Sequence, residues 1–354
     1  MNDFILGSQG FGGVAGTLLA NNMDPGALRP FTIDGDPSGR AYVTVNEGGK
    51  QVTRPVGNAT GLPYRSWILL DQTIQRVVKQ RLRLVSDLNA AGLTYNVSNG
   101  LGTPVIQFQN MGDISPATIS MDGLRQSERD RPAFDLTTIP LPIIHKDLSF
   151  SLREVAVSRQ AGTPLDTTSA ELAARRVAEE VEKLALGVSS SYTYGGGTVY
   201  GLMNFPSRLT KTLSDPAGVG WTGATLVGEI LAMKAQAQAK FHYGPFMVYT
   251  SPGWDKYLDD DYSAAKGDQT LRQRITQIEG IRGVRTLDYL TDLRLILVEM
   301  NQDVIRMING MAVTPVQWET HGGMQLNFKI MTIQVPHLRA DQDGNTGIVD
   351  GSVP

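Results

Sequence analysis

The side chains that usually build catalytic and metal sites are sparse in this chain. Its 354 residues include no cysteine and four histidines, which are His145, His242, His321 and His337. No two histidines lie three or four residues apart, as the ligands of a short zinc motif do. Without a thiol, the chain also lacks a thiolate zinc site, a thiol nucleophile and disulfides.

Two acidic runs have the composition of a cation site without its spacing. The run 341–345 begins like a calcium-binding loop, but Ser352 stands at the twelfth position, where such a loop needs a bidentate glutamate. The aspartates at 259–261 are interpreted as the solvated end of a helix.

The motifs of nucleotide-binding and hydrolytic sites are also missing from the sequence. The segment 48–51 lacks the leading glycine and the hydroxyl of a phosphate loop, and no Gly-x-Ser-x-Gly elbow occurs. The sequence therefore predicts no metal, no cofactor and no enzyme. A hydrolase whose residues meet only in the folded chain is the alternative.

The composition describes a globular protein with nearly balanced charge. Hydrophobic residues make up 41% of the chain and charged residues 19%. The net charge of −3 gives no global basic field that would indicate nucleic-acid binding. No apolar run approaches the 18 residues or so that a membrane span needs, and the first residues do not read as a signal peptide. The 38 glycines and 18 prolines indicate long loops and extended arms.

The pattern is organised around one long amphipathic helix, predicted over 167–186 and called the spine helix below. Thr168 and Glu171 form a capping-box pattern at its start, and Gly187 is a helix stop at its end. Its apolar stripe consists of Ala170, Ala173, Ala174, Val177, Val181, Leu184 and Ala185, of which Val177, Val181 and Leu184 are the predicted core positions. Its polar side carries Glu171, Arg175, Glu179, Glu182 and Lys183.

A second amphipathic helix is predicted over 65–91. Its polar face presents Arg76, Lys79 and Arg83, a row that could contact phosphates. An ordinary solvated face is the alternative interpretation.

The remaining segments are extended or mixed. Residues 1–63 have one strand candidate (41–45) and scattered apolar residues, so they are expected to become ordered by packing on other surfaces. Strands at 105–108 and 117–121 predict a long two-stranded excursion, which is marginal in water unless it rests on a partner. Other expected strands are 148–152, 247–250, 284–289, 294–299, 304–307 and 324–335. Helices are expected at 226–241, from Ser251-Pro252 onward and at 270–278, and a loop at 189–197. The irregular mixture indicates an α+β fold.

Several segments resemble the encapsulin and linocin shell proteins. These are the run 139–154, the run 162–168 that leads into the spine helix, and the pieces 200–205, 244–254 and 278–285. The resemblance covers residues 64–348 and implies the Hong Kong 97-type capsid fold, which encapsulins share with tailed-phage major capsid proteins. It divides the chain into an N-arm (1–63), an N-terminal helix with the start of the peripheral domain (64–99), an E-loop (100–145), the peripheral domain with the spine helix (146–204), an axial domain (205–320), and a closing strand with C-terminal tail (321–354).

The resemblance implies a structural protein. Encapsulins lack a counterpart of the arm that precedes residue 64, which favours a tailed-phage major capsid protein over a nanocompartment shell that carries a cargo enzyme. The implied partners are further copies in pentamers and hexamers, double-stranded DNA contacted non-specifically, and portal, scaffold and decoration proteins, with no membrane. The implied location is the virion, assembled in the host bacterial cytoplasm. Expected cross-subunit ion pairs on the E-loop involve Arg125, Glu128, Arg129, Asp130 and Arg131, and Arg76, Lys79 and Arg83 are the candidates for facing the lumen and genome.

Overall fold

The structure is a computed structural model of the full chain. It describes residues 5–6, 28–33, 40–47, 50–57, 62–111, 117–121, 124, 129, 131, 134–161, 168–189, 191–262, 269–341 and 343–354.

Seven α-helices lie in the described part of the chain. They are α1 (Tyr64–Arg81), α2 (Arg83–Ala90), α3 (Leu152–Ala161), α4 (Thr168–Leu186), α5 (Gly223–Gln238), α6 (Asp255–Leu258) and α7 (Leu271–Thr276). The spine helix is α4, and Gly187 ends it as predicted. Gly187 has φ +81°, and its N–H donates to the Lys183 carbonyl at 2.9 Å. None of the described helices is long and apolar enough to cross a membrane.

Eighteen strands build three sheets and two hairpins among these residues. They are β1 (Ile5–Leu6), β2 (Phe31–Thr32), β3 (Ala41–Glu47), β4 (Lys50–Gly57), β5 (Leu62–Pro63), β6 (Thr94–Asn96), β7 (Val105–Met111), β8 (Phe134–Pro140), β9 (Ile144–Ser151), β10 (Tyr192–Tyr194), β11 (Gly197–Val199), β12 (Leu209–Thr212), β13 (Phe246–Thr250), β14 (Ile281–Thr286), β15 (Arg294–Glu299), β16 (Ile305–Thr320), β17 (Gln325–Leu338) and β18 (Ile348–Ser352). The sheet orders are β1-β4-β3-β2-β5, β6-β16-β17-β9 and β12-β18-β15-β13-β14, and the hairpins are β7-β8 and β10-β11.

The spine helix lies on the sheet β6-β16-β17-β9, packed against β9 and β17, and α1 packs along it. Its alanines allow the close approach to this sheet. Ala170, Ala173 and Ala174 are buried with Phe328 and Trp67 in the shared core. Farther along, Val181 and Ala185 enter a second core that reaches the sheet containing β13 and β15. One helix therefore connects these two sheets.

The sheet β12-β18-β15-β13-β14 forms a second lobe with its own apolar core. Helix α5 contributes Ile230 and Met233, and the turn that follows β13 contributes Trp254. The predicted start of a helix at Ser251-Pro252 is confirmed as a short 3-10 turn (Pro252–Trp254) that continues into α6. The helix expected at 270–278 is observed as α7, and Thr270 forms a capping box with Gln273 at its start.

The N-terminal segment differs from its prediction. Strands β1 to β5 form a five-stranded sheet, and Leu28, Val43 and Leu62 are buried within the single chain. The described part of this segment therefore forms a sheet of its own, while Leu28 and Leu62 pack on other parts of the same chain, as the expected packing on other surfaces allows. The pairings β1-β4 and β2-β5 join strands that are not consecutive in the chain, so local patterns did not show that these segments support one another.

Three other predictions are corrected. Residues 117–121, predicted as a strand, are not a strand, and β7 pairs with β8 instead. Residues 192–199 form the hairpin β10-β11 and not a simple loop. The predicted helix 65–91 is two helices, because Leu82 leaves the helical conformation (φ −85°, ψ 85°).

Candidate functional site

A hairpin with an exposed apolar end is the most unusual surface in the described structure. Strands β7 and β8 pair from Val105↔Pro140 to Met111↔Phe134. Along β8, burial falls from the base to the far end: Ile139 is buried, whereas Phe134 is 62% exposed and Leu136 is 56% exposed. Beyond the paired strands, the side chains of Ile119, Met121 and Leu124 are also exposed. A concentration of apolar side chains in water marks an interaction surface.

The base of the hairpin is held by a stack of rings. The ring of Phe108 on β7 stacks on the His337 ring of β17, with centroids 4.5 Å apart. The Arg306 guanidinium lies 4.5 Å from the centre of the Phe108 ring, and Tyr95 meets that ring edge-on at 5.4 Å. Burial and the charges of Arg306 and Arg339 lower the pKa of His337 to about 3. The imidazole is therefore neutral at physiological pH, and its Nδ1 can accept the 3.0 Å hydrogen bond from Arg306 Nε.

This stack makes the hairpin a projection with a fixed root. Ile139 and Leu141 are buried at the root with Leu184 of the spine helix. At β11, a Cβ on Gly197 would lie 2.2 Å from the Thr138 carbonyl oxygen, so only glycine allows this close approach of the two backbones. The apolar far end is thus positioned by rigid elements, as an interface requires.

The predicted E-loop charges are only partly described. Arg129 and Arg131 are exposed, as residues that pair with another subunit would be in a single chain. Arg125, Glu128 and Asp130 lie outside the described residues.

The predicted lumen-facing residues have partners within the chain. Arg76 Nη2 lies 2.8 Å from Glu171 Oε1. Arg83 Nη1 donates to the Thr286 carbonyl at 2.9 Å and lies 3.2 Å from Asp288 Oδ1. The side chain of Lys79 lies outside the described residues. The three core positions of the spine helix, Val177, Val181 and Leu184, are buried.

Two glutamates of the spine helix that were placed on its polar side are buried. Glu179 lies against Arg175 and Arg176. Glu182 is 2% exposed, and its Oε1 accepts the backbone N–H of Leu84 at 2.7 Å. That N–H belongs to the first turn of α2, which begins directly after the break at Leu82. Glu182 therefore caps the start of α2 by accepting one of its free backbone N–H groups, because no side chain next to that start does so.

The polar contacts continue from Glu182 across α2 to the second lobe. Asp87 is also buried. Its Oδ1 lies 3.3 Å from Arg285 of β14, and its Oδ2 accepts a 3.4 Å hydrogen bond from the Tyr249 hydroxyl of β13. Burial raises the pKa of Asp87 and raises the pKa of Glu182 to about 7, against backbone hydrogen bonds that lower it. We call Glu182, Asp87, Tyr249 and Arg285 the junction cluster.

Sequence reasoning missed the junction cluster because its members are far apart in the chain. Leu84 and Glu182 are separated by 98 positions. The sequence around a helical glutamate does not show whether its side chain meets the start of another helix or water. The chemistry of the cluster is structural. Within the described ranges, no group of three or more histidine and acidic side chains could hold a metal ion. Asp341 accepts hydrogen bonds from the backbone and side chain of Asn345 in its own turn.

Comparison with solved structures defines the class of fold. The chain is similar to the virus-like particle from Pyrococcus furiosus (TM-score 0.55, 14% identity, covering 81% of this chain and 98% of that one). It is also similar to the capsid of the Myoviridae phage XM1 (TM-score 0.55, 10% identity, 71% and 86%) and to the capsid of a native GTA particle (TM-score 0.55, 12% identity, 77% and 91%). The chain has the Hong Kong 97-type capsid fold, so the predicted fold class is confirmed.

The sequence comparisons give the family of the chain and a curated relative. It belongs to a family of unknown function (DUF6260), whose profile matches residues 57–351. It is 25% identical over 191 residues to the type 1 encapsulin shell protein EncA of Myxococcus xanthus. That match spans 52% of this chain and 60% of EncA.

Proposed function

We propose that this chain is the major capsid protein of a tailed bacteriophage, assembling through pentamers and hexamers into an icosahedral shell around double-stranded DNA. The observation that carries the proposal is the projecting hairpin. It is rooted in the rigid stack around Phe108 and exposes Phe134 and Leu136, on a fold shared with the capsids of phage XM1 and of the native GTA particle. In a single chain this apolar surface is exposed to water, whereas a repeated contact between copies would bury it.

In this proposal the parts have the limits predicted from the sequence. Residues 100–145 are the E-loop that lies over a neighbouring subunit, with Arg129 and Arg131 as ion-pair partners there. Residues 146–204 and the closing strand are the peripheral domain, and 205–320 are the axial domain. Genome contacts are non-specific, and portal, scaffold or decoration proteins are further partners in the virion.

Two basic side chains on α1 and α2 that could bind DNA phosphates already have acidic partners within the chain. Arg76 is paired with Glu171, and Arg83 is paired with Asp288. DNA contacts through these residues would compete with those pairs, so we expect weak, salt-sensitive contact with the genome.

The second candidate is the shell of a nanocompartment that carries a cargo enzyme. It is favoured by the sequence match to EncA, which is named as an encapsulin shell protein. The two functions differ in what the shell encloses, although the contacts between subunits would be of the same kind.

The contents of native particles separate the candidates. Particles that contain this chain would be isolated from the organism that carries the gene and treated with nuclease before they are opened. The capsid proposal expects protected double-stranded DNA as the main content. Nuclease-treated particles that hold one enzyme and no DNA would replace it with the nanocompartment function.

A further inference from the structure

Helix α2 packs against the spine helix on one side and contacts the second lobe on another, and the chain breaks at both of its ends. At its start, Leu82 leaves the helical conformation (φ −85°, ψ 85°), so α2 does not continue α1. At its end the chain turns through Gly92, whose φ of +71° suits glycine. Because the backbone can change direction at both breaks, α2 can shift as a short rigid unit without unwinding its neighbours.

A cavity of about 320 Å³ lies beside α2. Ser86 and Asn89 of α2 line one wall, and Ala312 and Val313 of β16 line another. These two β16 residues lie at an irregularity in the pairing of β16 with β17. The space next to α2 is therefore not filled by packed side chains, and the helix can move toward it without a clash.

The contacts of α2 with the second lobe are polar and partly exposed. Arg83 Nη1 donates to the Thr286 carbonyl of β14 at 2.9 Å, and Asp87 Oδ1 lies 3.3 Å from Arg285 of the same strand. The Arg83 side chain is 45% exposed and that of Arg285 is 55% exposed. Ion pairs with this exposure are weak, so a shift of α2 breaks its contacts with β14 at little cost.

On the side of the spine helix, the start of α2 rests on the carboxyl group of Glu182. Its Oε1 accepts the Leu84 N–H at 2.7 Å, whereas its Oε2 is buried with no hydrogen-bond partner among the described residues. Because Glu182 is only 2% exposed, water does not solvate the second oxygen. An ionised Glu182 would therefore hold a negative charge without solvent and near the carboxyl group of Asp87.

The ionisable groups around Glu182 do not neutralise it. Burial has the largest effect and raises the pKa of Glu182 to about 7; backbone N–H groups of α2 lower it, and Asp87 raises it further. Tyr249 of β13 stays neutral, because burial and Asp87 raise its pKa. The nearby cations have other contacts: Arg83 with Asp288, Arg285 with Asp87, Lys183 with the Tyr289 ring, and Arg175 and Arg176 with Glu179.

We propose that α2 is a pH-sensitive clamp between the spine helix and the second lobe, closed while Glu182 carries its proton and released when that proton passes to water. Release moves α2 toward the cavity, which lets water reach Glu182 and separates Arg83 and Asp87 from β14. Because the pKa of Glu182 is raised in the folded chain, the clamp is closed well below pH 7 and opens as the pH rises through about 7. The clamp acts within one subunit, so it does not depend on what the shell encloses.

Hydrogen–deuterium exchange of the full-length protein, followed by mass spectrometry at about pH 5.5 and pH 8, tests the clamp. After correction for the intrinsic exchange rates, the protection of peptides that contain α2 should fall about tenfold or more between these two values. The protection of β15, a buried strand of the second lobe, should change little, because that lobe stays folded. In Glu182→Gln, which keeps a carbonyl oxygen for the Leu84 N–H and has no proton to lose, α2 should be equally protected at both values.

Glu180→Gln is the matched control, because Glu180 is an exposed carboxyl group on the same helix, and it should behave as the wild type does. Equal protection of α2 at both pH values in the wild type would overturn the inference. An equal loss of protection in α2 and β15 would also overturn it, since the whole subunit would then be destabilised. A loss in Glu182→Gln as large as in the wild type would assign the effect to another group. The wild-type comparison of α2 with β15 decides the matter even if Glu182→Gln does not fold.

Discussion

At the scale of single residues, Glu182 shows how a polar side chain can be necessary in a core. Its Oε1 caps the start of α2, but its Oε2 is buried with no hydrogen-bond partner among the described residues. Asp87 adds a second buried carboxyl group nearby. The arrangement favours the protonated form of Glu182, which removes one of two neighbouring negative charges.

This arrangement predicts a stability that falls as pH rises. The pKa of Glu182 is raised from 4.5 to about 7 in the folded chain, so the folded state holds this proton more tightly than the unfolded state does. The resulting stabilisation is fully present below about pH 4.5 and is lost as pH rises to 7, by an amount on the order of 3 kcal/mol. Glu182→Gln, which is neutral at every pH, should lack this part of the pH profile.

Denaturant unfolding of the wild type and of Glu182→Gln between pH 5 and 8 measures the difference. Glu180→Gln is the matched control, because Glu180 is an exposed carboxyl group on the same helix and should leave the wild-type profile unchanged. Parallel profiles for the wild type and Glu182→Gln would contradict this assignment.

At the scale of elements, the helices and strands that could be predicted are those that a local sequence pattern determines. The spine helix has its own stripe and its own glycine stop, and its predicted range of 167–186 agrees with the observed Thr168–Leu186. The break at Leu82 could not be predicted, because the residue that caps α2 lies on another helix. The N-terminal sheet was missed for a similar reason, since its pairings β1-β4 and β2-β5 join separate segments.

The N-terminal sheet changes what a truncation should do. Trp67 of α1 donates through Nε1 to the Pro30 carbonyl at 2.9 Å, and Arg29 lies over the Trp67 ring at 4.7 Å while pairing with Asp71. Deleting residues 1–60 removes these contacts and exposes the indole. The deletion should therefore lower subunit stability by several kcal/mol, in addition to any loss of assembly.

Thermal unfolding followed by circular dichroism measures this effect. Arg29→Ala, which removes the ion pair and the ring contact but keeps the sheet, should cost only about 1 kcal/mol. If the truncated chain melts at the wild-type temperature and still forms heat-resistant particles, the segment is an accessory tail, as expected for the nanocompartment candidate.

At the scale of the whole molecule, the resemblance predicted the fold. Only part of the candidate functional site could be predicted from the sequence. The segments 139–154 and 244–254 indicated the shell-protein fold, and the extended excursion indicated a partner-dependent hairpin. The pairing of β7 with Phe134–Pro140 and its anchoring at His337 were not predictable, because the residues that meet lie far apart in the sequence. The exposure of the Phe241 and Tyr243 rings could not be predicted from hydrophobic periodicity either, because both residues lie in a turn.

The central claim is that this chain functions as a repeated unit of a closed shell. Analytical ultracentrifugation of the purified full-length protein, with electron microscopy of the fastest-sedimenting fraction, tests it most directly. We predict closed, uniform particles, or rings of five and six copies where closure needs a scaffold. A folded monomer that remains monomeric at micromolar concentration, with its hairpin in solution, would contradict the account.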